Sequence, residues 1–510
     1  MIEVKSVKSF VRRFQHYITA FSKYISPPLL AVLVIGIVTS ILLFVPPVNG
    51  LADNGNYYRI LNGSGLYIQN IENHSYLSYF QKDFSIMQYY NQSSSIFISS
   101  QQLFITLAIW LNKLFYSAHQ FDIRFLGAVY LLFYLPGIYL LVRGLSAGLS
   151  KGRSYLVSLF VIFLLGDTSY TIYFNSFYPE ATSLIASLYI FASVIYLYRT
   201  KDFGKRGLIW LLLFISTVIL LGVTKRQFSL IFGLLIMGFG LFAFTKSKGT
   251  RLALSAVLVT FVGFLIMGTI FVPYSTREID LYHSLTRGVM LETTNPDSRM
   301  REGGINRQYG LKKGTTYFDE YSPVSPKSEQ VKENFLEKAG TIWVIINYIN
   351  HPDEFNKLLD IAVQDVYFVK PSELGNYEKS VGGEPAQQTR FFTLYNRIKA
   401  AGYPKSFGFY ILFSIVLIGI YGVGFYNGFR EKRPGMVVRF FLIAGFLVNM
   451  IFIFLSSIVI NGDSDLIRLL FLVSLYFDLI SLLLWSDVVG KRIWNDEPVQ
   501  KEGLEYETQI

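Results

Sequence analysis

Cysteine is absent from this chain of 510 residues, and charged residues make up only 16% of it. Without cysteine the chain can form no disulfide, no thiolate metal site and no cysteine nucleophile. A soluble protein of this size would carry about a quarter charged residues. The scarcity of charge, together with a 52% share of hydrophobic residues, excludes an ordinary soluble domain and favours a membrane protein.

Long apolar runs define the fold class. Several reach roughly the 17–25 residues that cross a bilayer as a helix. We therefore predict an all-α polytopic membrane protein with a bundle of about ten transmembrane helices. The predicted spans are residues 29–45, 123–142, 154–166, 178–198, 207–223, 227–245, 252–272, 406–425, 437–460 and 466–487. Residues 101–118 are apolar but contain Asn112 and Lys113, which favours an interfacial or partly re-entrant helix.

The surplus of basic residues follows the predicted topology. The net charge is +11, and Lys and Arg cluster in the short connections between apolar runs, as at Arg199, Lys201 and Lys205. Cytoplasmic loops of membrane proteins carry this surplus. The pattern predicts a multi-pass protein of the cell membrane with cytoplasmic N- and C-termini, and it argues against a nucleic-acid partner.

The spans divide the chain into five predicted segments. Residues 1–28 are basic and predict an amphipathic helix on the cytoplasmic leaflet. An N-terminal bundle follows at residues 29–272, and its first extracytoplasmic loop is residues 47–100. The remaining segments are an extracytoplasmic helical domain at 273–405, the C-terminal transmembrane helices at 406–487 and a cytoplasmic tail at 488–510.

The segment 273–405 is too long and too polar for a linker. Pro352-Asp353-Glu354 is a good helix start, and the apolar periodicity continues to about Tyr367. Residues 326–349 predict one or two further helices. We expect a small helical domain outside the membrane.

Polar residues from remote parts of the chain fall at the predicted outer membrane face. Carboxylates there suit proton abstraction from a sugar hydroxyl. Lys and Arg suit a phosphate oxygen at a lipid headgroup. The residues are Asp53, Asn56, Arg59, Asp167, Tyr170, Asn175, Tyr178, Glu180, Lys225, Arg226, Gln227, Arg277, His283, Arg287, Asp463, Asp465 and Arg468.

Two of these positions have a simple topological alternative. Asp53 could be a solvated acid that ends a helix. Lys225-Arg226 breaks the distribution of basic residues, and such charges are often functional, but the pair could also be snorkelling cations in an ordinary turn.

Others have a structural alternative. Asp167 and Glu180 could be buried partners for the two cations, and the lone His283 could be structural. The spacing of Asp53 and Asn56 is also compatible with oxygen ligands for a divalent cation, Mg²⁺ or Mn²⁺. We assign no cofactor beyond that open alternative.

Six short stretches lie in a characteristic order along the chain. They are DNGNYYRILNGSGLY (Asp53 to Tyr67), FNSFYPE (Phe174 to Glu180), the turn Lys225-Arg226-Gln227, YHS (Tyr282 to Ser284), LGNYEKS (Leu374 to Ser380) and NGDSDLIRLLFLVSLYFD (Asn461 to Asp478). Together they resemble the motifs of bacterial GT-C glycosyltransferases, and most closely those of WsfD-like hexose transferases of surface-glycan biosynthesis.

The resemblance implies a reaction at the extracytoplasmic face. A polyprenyl-phosphate hexose would be the donor and a cell-surface glycan the acceptor, with membrane lipids around both. Asp53 would be the general base, and Lys225 and Arg226 would bind the donor phosphate. The last motif departs from the commoner pattern, because Arg468 stands where Lys or His is expected.

We extend these roles to neighbouring residues as hypotheses. Arg287 and Arg468 are further candidates for the donor phosphate. The predicted substrate contacts are Asn56, Tyr58, Arg59, Asp167, Tyr178, Glu180 and His283.

Two other functions stay open. One is a transporter or flippase of lipid-linked sugars, and the other is a glycan polymerase or ligase that uses diphosphate-linked oligosaccharides. Polar residues gathered at one membrane face favour the transferase over transport.

Overall fold

A computed structural model describes residues 24–52, 61, 63–68, 78–88, 99–200, 203–223, 227–245, 251, 255, 259, 263, 274–319 and 324–494. Up to residue 245, the helices within the described residues are α1 (Pro27–Phe44), α2 (Gln101–Phe115), α3 (Arg124–Ser146), α4 (Lys151–Leu165), α5 (Thr168–Thr171), α6 (Glu180–Arg199), α7 (Arg206–Val223) and α8 (Gln227–Phe244).

The later helices form the segment after the first bundle and the C-terminal spans. They are α9 (Tyr274–His283), α10 (Pro296–Glu302), α11 (Glu329–Val331), α12 (Thr341–Asn350), α13 (Pro352–Val366), α14 (Leu394–Gly402), α15 (Phe407–Arg430), α16 (Pro434–Asn461), α17 (Leu466–Leu469) and α18 (Phe471–Gly490). Short 3₁₀ or π turns lie at Ile172–Asn175, Phe203–Lys205, Ser284–Val289, Arg307–Lys312, Lys332–Leu336 and Lys379–Val381.

Seven helices within the described ranges are long and apolar enough to cross a membrane: α1, α3, α6, α7, α15, α16 and α18. The helix α4 and the stretch Thr168–Asn175 are bent by 52° between them, and they make an eighth if the pair counts as one broken span, the name used for them below. The prediction of an all-α polytopic membrane protein is confirmed. Most of the predicted span 252–272 lies outside the described residues.

Local sequence signals explain several helix starts. The helix α1 begins at Pro27, two residues before the predicted span, because proline fits the first turn, where its missing N–H has no partner to lose. The helix α13 begins at Pro352 with Asp353 and Glu354 in its first turn, as expected for acids beside the positive end of the helix dipole.

Five short strands also form within the described residues, and they were not predicted from the sequence. They are β1 (Asn49–Leu51), β2 (Leu66–Tyr67), β3 (Asp83–Ile86), β4 (Gln120–Asp122) and β5 (Leu374–Tyr377). The strands β2, β3 and β4 form one antiparallel sheet. The strand β1 pairs antiparallel with β5, which ties the first loop to the segment after the N-terminal bundle.

Side-chain contacts define two ends of the bundle. At one end, Arg199 at the close of α6 pairs with Asp487 near the close of α18. At the other, Glu180 at the start of α6 pairs with Arg468 just before α18. We call the end with Asp487 the inner end and the end with Glu180 the outer end.

Small residues bring α8 and α16 together between these ends. The Gly233 N–H donates to Asn449 Oδ1 at 3.0 Å, and a Cβ on Gly233 would overlap the Gly445 carbonyl. Close backbone approach of this kind is how helices associate in lipid. The packing fixes α8 against the span that leads into the outer end.

Candidate functional site

An arginine surrounded by acids and an aromatic ring lies at the outer end. Arg468 Nε is 3.2 Å from Glu180 Oε1, and Arg468 Nη1 is 3.0 Å from Asp465 Oδ2. The guanidinium carbon is 3.8 Å from the centre of the Tyr178 ring. We call these four residues the Arg468 cluster. It joins the start of α6 to the turn before α18, two parts of the chain that are remote in sequence.

A strained turn between α16 and α17 positions Arg468. Gly462, directly after α16, has φ 58°, and a Cβ there would overlap the Arg287 backbone carbonyl. Asp465, directly before α17, has φ 55°, a left-handed conformation that Asp tolerates better than most residues. Glycine at the first of these positions is therefore required both by conformation and by space.

The Arg468 cluster is largely enclosed, and it keeps hydrogen-bonding capacity that the described residues do not use. The side chains of Arg468 and Glu180 are 19% and 9% exposed. Hydrogen bonds to the two acids use Nε and one Nη of a group with five N–H donors. Glu180 Oε2 is buried and has no hydrogen-bond partner within the described residues. The cluster could therefore donate to a phosphate and accept from a hydroxyl.

Asp53, Asn56, Tyr58 and Arg59 lie outside the described residues. The chain just before them is held at the outer end. Ala52 N–H donates to Glu373 O at 2.8 Å. Asn175 donates to Leu43 O and Asn49 O at 3.2 and 3.0 Å, so this amide joins the close of α1 to the stretch that follows the bend in the broken span.

Lys225 and Arg226 also lie outside the described residues. The C-terminal end of α7, which precedes them, lies at the outer end of the bundle. Ser100 N–H donates to Gly222 O at 3.2 Å, and its neighbour Gln101 donates to Phe177 O at 2.8 Å. Phe177 directly precedes Tyr178 of the Arg468 cluster.

Arg287 has close protein partners. Its Nε and Nη2 bind the two Asp463 carboxylate oxygens at 2.7 and 2.8 Å, and its Nη1 donates to Gly314 O at 3.0 Å. This bidentate ion pair ties the turn after α16 to the segment 273–405. The phosphate-binding hypothesis for Arg287 stays a prediction.

His283 is buried in the same segment. Its Nε2 accepts a hydrogen bond from the Tyr317 N–H at 3.0 Å, which requires that nitrogen to be unprotonated. Burial, with a smaller contribution from the Arg287 charge, lowers the pKa of His283 to about 4. Its predicted role as a substrate contact also stays a prediction.

Asp167 caps the short helix α5. One carboxylate oxygen accepts from Ser169 N–H and the other from Asn396 N–H, both at 2.9 Å. These bonds join the bend of the broken span to α14. The predicted substrate contact at Asp167 would have to share oxygens that already bind backbone amides.

Lys399 and Asp478 form a buried ion pair that was not predicted from the sequence. Lys399 Nζ lies 2.7 Å from Asp478 Oδ1, and both side chains are fully buried. Tyr395 and Tyr170 each donate to the same carboxylate at 2.5 Å. Asp478 interrupts an apolar run, and an acid within a span signals a buried partner.

Residues around this ion pair also pack against the start of α18 at the outer end. The rings of Tyr170 and Tyr173 pack on Phe471, the first residue of α18, with ring centres 5.7 and 4.9 Å apart. The pair therefore helps to hold the start of α18, directly after Arg468.

Within the ranges that the structure describes, no three His, Asp or Glu residues form a group that could hold a metal ion. The Asp53 and Asn56 pair lies outside those ranges. The divalent-cation alternative therefore stays a prediction.

The architecture defines a multi-pass helical membrane protein. Residues 12–505 match the family model of the YfdI N-terminal transmembrane domain, so the chain belongs to this family. The family is associated with GT-C-like glycosyltransferases. No curated protein and no solved structure matches the chain.

Proposed function

We propose that this protein transfers a hexose from a polyprenyl-phosphate carrier to a cell-surface glycan. The observation that carries the proposal is the Arg468 cluster, in which a partly enclosed guanidinium stacks on Tyr178 beside two carboxylates. A planar guanidinium at the end of a membrane bundle suits recognition of a lipid-linked phosphate. The WsfD-like resemblance supplies the donor and acceptor classes.

The outer end is extracytoplasmic in this proposal. Basic residues support that orientation, because Arg199, Lys201 and Lys205 belong to the connection at the inner end. Both termini would then be cytoplasmic.

Arg468, Lys225 and Arg226 neutralise the departing polyprenyl phosphate. Fixed cations where negative charge develops often contribute several kcal/mol to lowering a barrier. Arg468 suits this role better than Arg287, because Arg287 donates from all three of its nitrogens to Asp463 and Gly314.

Asp53 acts as the general base. It takes the proton of an acceptor hydroxyl, and the hydroxyl oxygen attacks the anomeric carbon from the side opposite the phosphate. The bond between that carbon and the phosphate oxygen breaks, so the anomeric configuration inverts. The free Oε2 of Glu180 and the ring of Tyr178 contact the sugar in this proposal, with Asn56, Tyr58 and Arg59 beside Asp53.

The test is a transfer assay with purified protein in proteoliposomes. A polyprenyl-phosphate hexose and a polyprenyl-diphosphate oligosaccharide are supplied in parallel with glycan acceptors, and donor consumption is measured. We expect consumption of the monophosphate donor. Use of the diphosphate donor alone would identify a polymerase or ligase, and use of neither would favour transport.

Asp53→Asn tests the base within the same assay. Transfer should fall to background at unchanged expression. The control is Asp353→Asn, which alters an exposed acid at the start of α13 and should retain wild-type transfer. Wild-type activity in Asp53→Asn would remove Asp53 from the base role.

A further inference from the structure

The outward face of the helix α12 is more apolar than expected of a helix at a water-exposed surface. Its buried face carries Val344, Asn347 and Tyr348. Its outward face carries four isoleucines, and no charged residue occurs in the helix. They are Ile342, Ile345, Ile346 and Ile349, which are 75%, 43%, 50% and 71% exposed. In water the polar side chains of an amphipathic helix would face outward.

Buried polar contacts hold this orientation. Arg299 of α10 donates to Asn347 Oδ1 at 2.8 Å and to Glu354 Oε1 of α13 at 3.0 Å. The Tyr348 ring packs on Phe355 with ring centres 4.6 Å apart. Rotating α12 to hide the isoleucines would break these contacts, so the apolar face stays outward.

The position of α12 is level with the end of a span. The space beside Gly288 is bounded by the Tyr348 hydroxyl and by Gly462, the residue that follows α16. The inner face of α12 therefore reaches the outer boundary of a helix that crosses the membrane.

The helix α12 is too short to cross. Its 10 residues extend about 15 Å, half of the roughly 30 Å hydrocarbon core. Exposed charged residues flank it, with Lys338 before it and Asp353 after it. A short helix with charged flanks and an outward apolar face suits the plane of the membrane interface.

A second helix, α2, also presents an apolar edge at the outer end. Gln101 at the start of α2 binds Phe177 O, which lies next to the Arg468 cluster. The outward edge of α2 carries Leu103, Leu107, Trp110 and Leu114, which are 65%, 39%, 73% and 73% exposed. Two short helices from distant parts of the chain, α2 and α12, thus present apolar edges at the same end of the bundle.

We propose that α12 is an interfacial helix whose isoleucine face inserts into the lipid leaflet at the outer end. Lipid acyl chains are the occupant that matches an uncharged aliphatic face level with the end of a span. The insertion anchors the segment 273–405 to the membrane beside the Arg287–Asp463 ion pair. This inference concerns membrane attachment and does not depend on hexose transfer.

The absence of cysteine makes a site-specific test direct, because a single introduced thiol is labelled without background. Ile342→Cys, Ile346→Cys and Ile349→Cys are labelled with the fluorophore NBD. The labelled proteins are placed in nanodiscs of phosphatidylcholine and phosphatidylglycerol. The matched control is Lys357→Cys, an exposed position on the neighbouring helix α13.

Two quenchers distinguish lipid from water. Nitroxides on shallow acyl positions should quench the α12 probes at least threefold more than the Lys357 probe, and aqueous iodide should show the opposite order. Equal iodide quenching at α12 and Lys357 would overturn the proposal. Protection of α12 from both quenchers would also overturn it, since a second copy or another protein would then cover the face.

A measurement on the unmodified chain tests the proposal without relying on the folding of the cysteine variants. Hydroxyl-radical labelling in nanodiscs should oxidise the α12 isoleucines several-fold less than expected from their exposed fractions in the protein without lipid. Phe318, which is 57% exposed, should be oxidised in proportion to its exposure. Labelling of α12 in proportion to exposure would contradict insertion.

Discussion

The two ends of the bundle each carry a cluster of arginine and acid, and the clusters are built differently. At the inner end, Asp487 is fully buried and pairs with Arg199, Arg439 and Arg492, whose side chains are 3%, 1% and 8% exposed. At the outer end, one arginine faces two acids, and Asp465 is 44% exposed.

Several further donors of the inner cluster are directed to backbone carbonyls, and Arg199 and Arg492 also donate to the Ser486 hydroxyl. Arg492 donates to Leu145 O and Ala147 O, at the close of α3. Arg439 donates to Arg492 O and Ile493 O. Cations are favoured beside the carbonyls that end a helix. The inner cluster therefore joins α3, α6, α16 and α18 through contacts within the protein.

The comparison separates stability from ligand binding. A closed, fully buried cluster holds helices together, and losing one member leaves uncompensated charge. A partly exposed cluster with a buried, unpartnered carboxylate oxygen suits a ligand that completes it. We expect inner-end variants to lose folding and outer-end variants to lose function first.

The largest effect should follow Asp487→Asn. This change leaves three buried guanidiniums without their carboxylate, and breaking a buried pair costs about 3–5 kcal/mol. Thermal unfolding in detergent should show a marked drop in midpoint together with reduced yield. The control is Glu431→Gln, which removes an acid that is 50% exposed and 2.9 Å from Arg433. An exposed pair contributes at most about 1 kcal/mol. Equal stability of the two variants would contradict a structural inner end.

A smaller loss should follow Lys399→Met. The Asp478 carboxylate would lose its cation but keep its two tyrosine donors, so we expect a cost of about 3 kcal/mol, at the lower end of the range for a broken buried pair. The double variant Lys399→Met/Asp478→Asn should cost less than the sum of the single changes, because it removes both charges. Strictly additive losses in the unfolding free energy would show that the pair is not coupled.

The outer end should also be sensitive to pH. The pKa of His283 is about 4 in the fold and about 6.5 in an unfolded chain. The unfolded state binds the extra proton between these values, so stability is complete above about pH 6.5 and falls as the pH drops toward 4. The loss is at most about 3 kcal/mol.

The variant His283→Gln isolates this contribution. Asp365 acts in the opposite direction, because burial, helped by Asp463, raises its pKa to about 6. Stability measured at pH 7.5 and pH 4.5 should therefore be compared between wild type and variant. The variant should lose less stability, by about 2–3 kcal/mol. Parallel pH profiles would exclude His283 as the source.

The spans could be predicted from the sequence because bilayer thickness imposes a minimum apolar length. The start of α6 lies close to its predicted position for the same reason, and the start of α13 was predicted from Pro352 and the acids that follow it. The strands β1 and β5 could not be predicted. Each has at most 4 residues, and its partner lies more than 300 residues away in the chain.

The members of the candidate site could be nominated, but their pairing could not. Glu180 and Arg468 were both predicted to lie at one membrane face, yet the contact between them depends on how α6 packs on α18. Lys399 and Asp478 were not nominated at all, and their contact likewise depends on how α14 packs on α18. Asp53, Lys225 and Arg226 lie outside the described residues, so their roles stay predictions.

The binding of polyprenyl phosphate to Arg468→Gln tests the central claim most directly. The control is Arg433→Gln, which changes an arginine at the inner end that is 38% exposed. Titration of each protein in nanodiscs gives the Kd, and thermal unfolding checks that the fold is retained. We predict a Kd at least about tenfold higher for Arg468→Gln, or roughly 1.4 kcal/mol, and no change for Arg433→Gln. A wild-type Kd in a folded Arg468→Gln protein would contradict the outer end as the phosphate site.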